Sequence, residues 1–320
     1  MIRLLAVTFA ALLGLLFGSF LNVCLSRWPQ GESAVAPRSH CRRCARTLAW
    51  WENIPLLSWL ALRGRCRTCH TRIGWRYPLV EAVVALLWAV AVAGALPAED
   101  QLLAAQPIAL LPLLFVAAGQ MCFFWLLVAL AVLDAENLWL PDKLTIPGAV
   151  IGVLYAAAAP VLLRVADAQP GLPLAGSAPD SVWGLGASRL VAALVVAACV
   201  LLVRWLYGLV RRREGLGMGD AKLMALLGAW LGLPGAALAF VLAVTLGTVY
   251  ALWMLVRARG RTRLASSAQT TAEDAGTSDA WASAWASAQL PLGTFLCVGG
   301  LLSALFGRAW IDLYLRFFGL

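Results

Sequence analysis

Eight apolar runs, most of them about as long as a bilayer is thick, divide this chain and leave it few ways to fold. A membrane-crossing helix needs roughly 20 consecutive apolar residues. The runs read as 4–25, 78–97, 108–133, 144–164, 189–210, 220–234, 236–256 and 290–314, and the sixth is short. Composition agrees, since 62% of the 320 residues are hydrophobic and only 13% charged, against about half and about a quarter in soluble domains. The expected fold is an all-α polytopic membrane protein with about eight transmembrane helices. The opening run follows Arg3 and superficially resembles a signal peptide. It is longer than an h-region and no small-x-small site follows it, so a retained helix is expected. Asn22 and Val23 likewise argue against lipidation at Cys24.

Charge sets the orientation. The net charge of +9 does not require nucleic acid, and none is expected as a partner, because the arginines cluster in loops between apolar runs. The stretch Arg27 to Arg76 holds ten arginines and two acids. Arg211, Arg212 and Arg213 follow the fifth run, and Arg257, Arg259, Arg261 and Arg263 follow the seventh. Alternating spans place all three clusters on one side, which the positive-inside rule makes cytoplasmic. The loops from Pro97 to Gln106 and from Asp167 to Ser188 fall on the other side. Residues 166–187 and 259–288 are rich in small and polar residues, the second with a WASAWASA repeat at 281–288. Such composition buries no core, and both are expected as flexible loops.

Inside the arginine-rich loop, Cys41-x-x-Cys44 and Cys66-x-x-Cys69 stand 21 residues apart. Two such knuckles supply the four soft ligands that tetrahedral zinc prefers. A pair of disulfides is the competing reading, but it needs an oxidising compartment, and the arginines put this loop in the cytosol. A small zinc-ribbon-like loop domain is therefore expected, with His40 and His70 as bystanders to a site already closed. Cys24, Cys122, Cys199 and Cys297 lie singly in apolar runs and read as small buried hydrophobes.

Two carboxylates remain to be explained. Asp134 closes the apolar run from Phe123 to Leu133, and Asp220 follows Gly217 and Gly219 and opens another. A charge at the bilayer centre costs about 2.5–3.5 kcal/mol on insertion scales, so intramembrane acids suggest function. The span count places both on the same, cytoplasmic, face. Either alone could be a helix cap or an interfacial charge. Glycine at 217 and 219 permits close backbone approach and could open the backbone to a substrate chain. Two like charges about 4 Å apart repel by about 4 kcal/mol at an effective dielectric near 20. Such a pair holds one proton between its members, so one carboxylate can take a proton from water while the other donates to a carbonyl oxygen. Asp142, Glu136 and Lys222 are nearby polar residues, and Glu81 lies within the second run.

These residues together resemble the bacterial type IV prepilin peptidases, the bifunctional leader peptidase and N-methyltransferase family. The resemblance runs through GlySerPheLeuAsnValCysLeuSerArgTrpPro (18–29), IleProLeuLeuSerTrpLeu (54–60), ArgGlyArgCysArgThrCys (63–69) and ArgTyrProLeuValGlu (76–81). It continues in LeuAsp at 133–134, LeuProAsp at 140–142, GlyMetGlyAspAlaLysLeu (217–223), GlyAlaTrpLeuGly (228–232) and LeuProLeuGlyThrPheLeu (290–296). It implies that Asp134 and Asp220 are the catalytic aspartates and that Cys41, Cys44, Cys66 and Cys69 are the zinc ligands. It implies cleavage of the basic leader of prepilins or pseudopilins after a glycine, at the cytoplasmic face of the inner membrane. The new N-terminus is then methylated with S-adenosylmethionine. The stretches 166–187 and 259–288 depart from the family pattern without removing a motif residue.

The implied domains are a first helix at 1–25, a zinc loop at 26–77 within an N-terminal unit reaching about 120, a peptidase membrane domain at 121–258, the insertion 259–288 and a last helix at 289–320. No glycine-rich nucleotide loop marks the methyl-donor site, although Gly64 and Arg65 beside Cys66 make the zinc loop a candidate contributor. The loop's arginines would also hold it against anionic lipid, and Glu52 and Glu136 are the acids expected to meet a basic leader. Two rival readings are a proton-coupled transporter, whose aspartates carry protons, and a non-catalytic assembly factor bearing a zinc ribbon.

Overall fold

The computed structural model describes residues 1–97, 107–165, 182–211, 217–266 and 291–318. Among the described residues the α-helices are α1 (Ile2–Arg27), α2 (Leu57–Ala61), α3 (Arg76–Ala95), α4 (Pro107–Asn137), α5 (Asp142–Val165), α6 (Val182–Arg211), α7 (Met218–Ser266) and α8 (Leu292–Phe318). All but α2 are long and apolar enough to cross a membrane. Their outward faces carry Leu4, Phe9, Leu12 and Leu16 on α1, and Leu190, Leu194, Leu201 and Leu202 on α6, all exposed. An outer surface of that kind is compatible with hydrocarbon and not with water. The protein is a multi-pass membrane protein.

The seven long helices supply eight apolar segments, because α7 is broken at Gly232 (φ 73°, ψ −178°), with Pro234 just beyond. The packing on α8 shows that the chain reverses there. Gly293 and Gly300 of α8 lie against Asp134 and Leu227, so the limb 218–231 runs parallel to α8. Gly299 meets Ala239 and Ala243, Ser303 Oγ donates to the Gly235 carbonyl, and Phe295 lies by Gly247, so the limb from 233 onward runs antiparallel to it. The sixth and seventh apolar runs are thus the two limbs of one hairpin, with the bend at Gly232. A Cβ at Gly232 would strike the Arg189 guanidinium, and its dihedrals belong to a region essentially reserved for glycine. Gly232→Ala should therefore destabilise the bundle by roughly 1–3 kcal/mol, measurable as a lower midpoint of thermal unfolding in detergent micelles.

The core lies where α4, the first limb of α7 and α8 meet. Phe123, Phe124, Leu127, Leu130 and Leu133 pack with Leu223, Leu226, Leu227, Trp230 and Leu296, each exposed by 2% or less. Trp230 stacks on Phe123 and Tyr155, with ring centroids 4.9 and 5.2 Å away, and its Nε1 donates to the Gly148 carbonyl at 2.9 Å. In lipid, association depends on such packing and on small residues that let backbones approach. Gly14 and Gly18 do this for α1 against α3, since Cβ atoms there would meet the Cα atoms of Ala85 and Glu81.

Two expected loops are partly helical. Residues 182–187 open α6, and 259–266 continue α7. In each case apolar helix beside the stretch carries its backbone hydrogen bonding onward, which composition alone did not show. The remainder of both stretches, the WASAWASA repeat, Arg212, Arg213 and most of the loop after Pro97 lie outside the described residues.

Candidate functional site

Polar contacts gather at one end of the bundle. Arg76, at the start of α3, pairs with Glu136 near the end of α4 at 2.6 Å. Lys222, in the first limb of α7, pairs with Asp142 at the start of α5, also at 2.6 Å. Exposed ion pairs stabilise little, so their value here is positional. They bring the C-terminal end of α4 and the N-terminal ends of α3, α5 and α7 to one level, beside the cysteine-bearing loop that joins α1 to α3. Glu136 is thereby engaged by Arg76. Glu52 is buried and takes Arg46 at 2.6 Å and the Ala49 N–H at 2.8 Å. That contradicts the expectation that Glu52 is available to a basic leader, because its partner lies within its own loop.

Asp134 and Asp220 lie at this same end and come close enough for the charge of one to act on the other. Asp134 is 6% exposed and Asp220 partly buried. The fully buried Cys297 of α8 lies within electrostatic reach of both. Each aspartate meets a helix N-terminus, where unpaired N–H groups and the helix dipole favour negative charge. Asp220 lies in the first turn of α7, and its Oδ2 accepts the Gly217 N–H at 3.2 Å. Asp134 instead meets the first turn of α8. The Thr294 N–H donates to Asp134 Oδ2 at 2.6 Å, and Thr294 Oγ1 stands 3.0 Å from that oxygen and 3.1 Å from the Ala131 carbonyl.

Glycines make room for these contacts. A Cβ on Gly293 would stand 2.8 Å from the Asp134 carboxyl carbon. One on Gly219 would stand 3.1 Å from the Leu140 side chain, which follows α4. Neither Gly217 nor Gly219 has positive φ, so what they supply is space for close approach rather than an unusual dihedral. The clamp from Gly293 and Thr294 was missed in reading the sequence for chemistry. Its only trace there was the GlyThr pair, Gly293 and Thr294, within LeuProLeuGlyThrPheLeu.

The four cysteines converge as a second cluster. Their sulfurs all lie within 4.8 Å of one another, with Cys41 and Cys69 at 3.7 Å. Four sulfurs about 2.3 Å from a tetrahedral zinc ion stand about 3.8 Å apart, so the donor set fits that metal. Two matching knuckles build the cluster. The Cys41 N–H donates to the Arg46 carbonyl and the Ala45 N–H to the Cys41 carbonyl. The same bonds recur from Cys66 to Thr71 and from His70 to Cys66. Ala45 and His70 occupy equivalent left-handed turns, at φ 55° and 52°. His70 therefore serves the backbone of its knuckle. His40 pairs with Thr47 in an antiparallel bridge across the first knuckle, as Arg65 pairs with Arg72 across the second. Neither histidine belongs to the sulfur cluster. The Cys66 thiol is held low by the N–H groups of Cys69 and Thr68. Thr71 brings the Cys69 thiol down to about 6. At Cys44 the Arg46 backbone bond is outweighed by burial and the three neighbouring cysteines, which push the thiol up to about 11, so metal binding must draw protons from the cluster.

Arg46 and then the Ala49 N–H hold the Glu52 carboxyl below the usual carboxylate range. A depressed folded-state value stabilises the fold above the unfolded value and is lost as pH falls through the folded one. Glu52→Gln should lower the melting temperature of the zinc-loaded protein by a constant amount from about pH 5 to about pH 8, with the deficit shrinking only in stronger acid.

Comparison with known proteins places this geometry. Residues 12–94 match the Bacterial Peptidase A24 N-terminal domain, and residues 121–252 match the Type IV leader peptidase family. A Prepilin leader peptidase/N-methyltransferase of Pseudomonas putida is 32% identical over 94% of this chain and 91% of its own length. The chain belongs to the type IV leader peptidase family. It is thereby an enzyme of a protease family, and further relatives repeat the match. The Type 4 prepilin-like proteins leader peptide-processing enzyme of Escherichia coli O78:H11 is 36% identical over 78% of this chain and 85% of its own length. A Prepilin leader peptidase/N-methyltransferase of Myxococcus xanthus is 38% identical over 70% of this chain and 55% of its own length. No solved structure matches. The two family matches cover the cysteine knuckles, Asp134 and Asp220, and end before Gly293 and Thr294.

Proposed function

We propose that this enzyme is an aspartic endopeptidase that removes the leader of type IV prepilins or type II secretion pseudopilins and then methylates the new N-terminus. The relatives' names support the substrate class and the second activity. The observation that carries the peptidase half is the placement of Asp134 and Asp220, 86 residues apart in sequence, at one end of the bundle and within reach of each other's charge. Close carboxylates hold one proton between them. The ionised member takes a proton from water as the oxygen attacks the scissile carbonyl, and the protonated member donates to the carbonyl oxygen. As the tetrahedral intermediate collapses, the leaving amine takes a proton from the pair and the shared proton is restored. The helix N-termini at α7 and α8 hold the pair's charge without reorganisation during the reaction.

The arginine clusters support a cytoplasmic setting for this end, and the bacterial relatives support the inner membrane. Cys41, Cys44, Cys66 and Cys69 would hold zinc, which when bound fixes the fold of its loop and supplies no reacting group. S-adenosylmethionine is the methyl donor that the relatives' names suggest, and the methyl transfer rests on that kinship alone.

The direct test is purified enzyme in bilayers with a synthetic prepilin, with and without S-adenosylmethionine, read by mass spectrometry. Cleavage after the leader glycine without donor, and an added methyl group only with donor, are the expected results. An intact prepilin removes the peptidase reading, and an unmethylated mature product with donor removes the other half.

Thr294 should behave as a positioning residue. Thr294→Val keeps the N–H bond to Asp134 and loses the hydroxyl, worth about 0.5–1.5 kcal/mol as a hydrogen bond. Peptide cleavage should slow up to about tenfold, mainly in kcat, and Thr294→Ser should restore it.

A further inference from the structure

We propose that helix α2 is an interfacial foot. Leu57 and Leu60 insert at the acyl-chain boundary of the leaflet on the cysteine-knuckle side, and Arg63, Arg65 and Arg72 lie against its anionic headgroups, while the Arg67 guanidinium sits over the Trp51 ring. The argument begins with depth. The Leu56 N–H donates to Glu81 Oε2 at 2.8 Å. Glu81 is buried five residues into α3, which is about 7.5 Å along the axis, and its Cα packs against Gly18 of α1. Helical side chains lean toward the N-terminus, so the bond lies between the levels of Glu81 and Arg76, at the boundary of the apolar region. The loop thus dips to that boundary before α2 begins. Leu56 adopts φ 58° and ψ −50° there, a costly conformation for a bulky residue that the surrounding structure must enforce.

The exposed surface at this depth is apolar. Leu57 and Leu60 are 64% and 63% exposed and three residues apart on one face of the helix. Trp59 faces the other way, with Nε1 donating to the Ile73 carbonyl at 3.1 Å and its ring 4.3 Å from that of Trp75. Trp75 is 73% exposed and directly precedes α3, the level at which tryptophan is enriched in membrane proteins. Arg63 and Gly64 then turn the chain with positive φ. Residues 56–75 carry four arginines and no acid, which complements an anionic leaflet. Depth and charge together select lipid as the occupant. The inference rests on α1 and α3 crossing a bilayer and is independent of the proposed chemistry.

The test places a fluorescent non-natural residue at Leu60 of the full-length protein, with Leu12 of α1 as a deep reference. The zinc-loaded protein is reconstituted in bilayers of phosphatidylglycerol and phosphatidylethanolamine. The expected result is severalfold stronger quenching at Leu60 by nitroxides near the headgroup end of the acyl chain than by aqueous iodide, while Leu12 answers to deeper nitroxides. Arg63→Gln with Arg72→Gln should weaken the Leu60 quenching, as should replacing the anionic lipid by phosphatidylcholine. Iodide quenching that dominates at Leu60 overturns the proposal. So does protection that arises only when a prepilin is added, which would give the face to an apolar peptide, or only at high protein density, which would give it to a second copy. Lipid quenching unchanged by both charge tests overturns the headgroup contact.

Discussion

Asp134→Asn and Asp220→Asn are each expected to leave a prepilin uncleaved while zinc content and helicity stay at the parent level. General acid–base catalysis by a positioned group contributes about 10²–10⁴-fold, and the proposed chemistry needs both members in different protonation states. Losing either should therefore cost at least that factor, and the double variant should be little worse than either single one, because the two act as a unit. A gel of processed and unprocessed substrate reads the result, with metal analysis and circular dichroism as folding controls. The outcome also separates the rival readings. Asparagine variants that still process prepilin would favour proton transport or a purely structural role for these acids.

Cys66→Ser is expected to have the largest effect on stability. The four sulfurs already lie within 4.8 Å of one another, and structural zinc contributes about 10–16 kcal/mol of apparent binding energy in small zinc-finger peptides near neutrality. The loop between α1 and α3 has little apolar core of its own, with Cys66 its buried hydrophobic member. Removing one ligand, or stripping the metal with a chelator, should unfold this loop and leave the membrane helices intact. Limited trypsin digestion reads this directly, because the arginines that were held in turns and ion pairs become cleavable. A metal-free loop that resists trypsin as well as the parent would show that the two knuckles fold without zinc.

Much of this arrangement was legible in the residue pattern. The apolar runs gave the helices, the two CxxC pairs gave the sulfur cluster, and the acids at the ends of apolar runs marked the pair. The sixth and seventh runs were visible as separate stretches, but the break at Gly232 that folds them into one hairpin was not. What escaped was non-local. Thr294 reaches Asp134 across 160 positions of sequence, and a threonine in an apolar helix carries no local mark of such a bond. Gly293 makes room for a carboxylate from another helix, a requirement that exists only after folding. Glu52 misled for the same reason. An acid in a basic loop suggests a basic partner from outside, but Arg46 lies near enough to take it. Helix ends at 182–187 and 259–266 were misjudged because small polar residues do not stop a helix whose neighbouring turns are already formed.

Everything proposed for catalysis depends on Asp134 and Asp220 facing one another at a single membrane surface. Replacing both with cysteine, oxidising the protein in its bilayer and mapping the disulfides by proteolysis and mass spectrometry tests that arrangement most directly. The account predicts a cross-link joining residues 134 and 220. No such cross-link, with the two cysteines labelled by impermeant maleimide from opposite sides of the membrane, would contradict it.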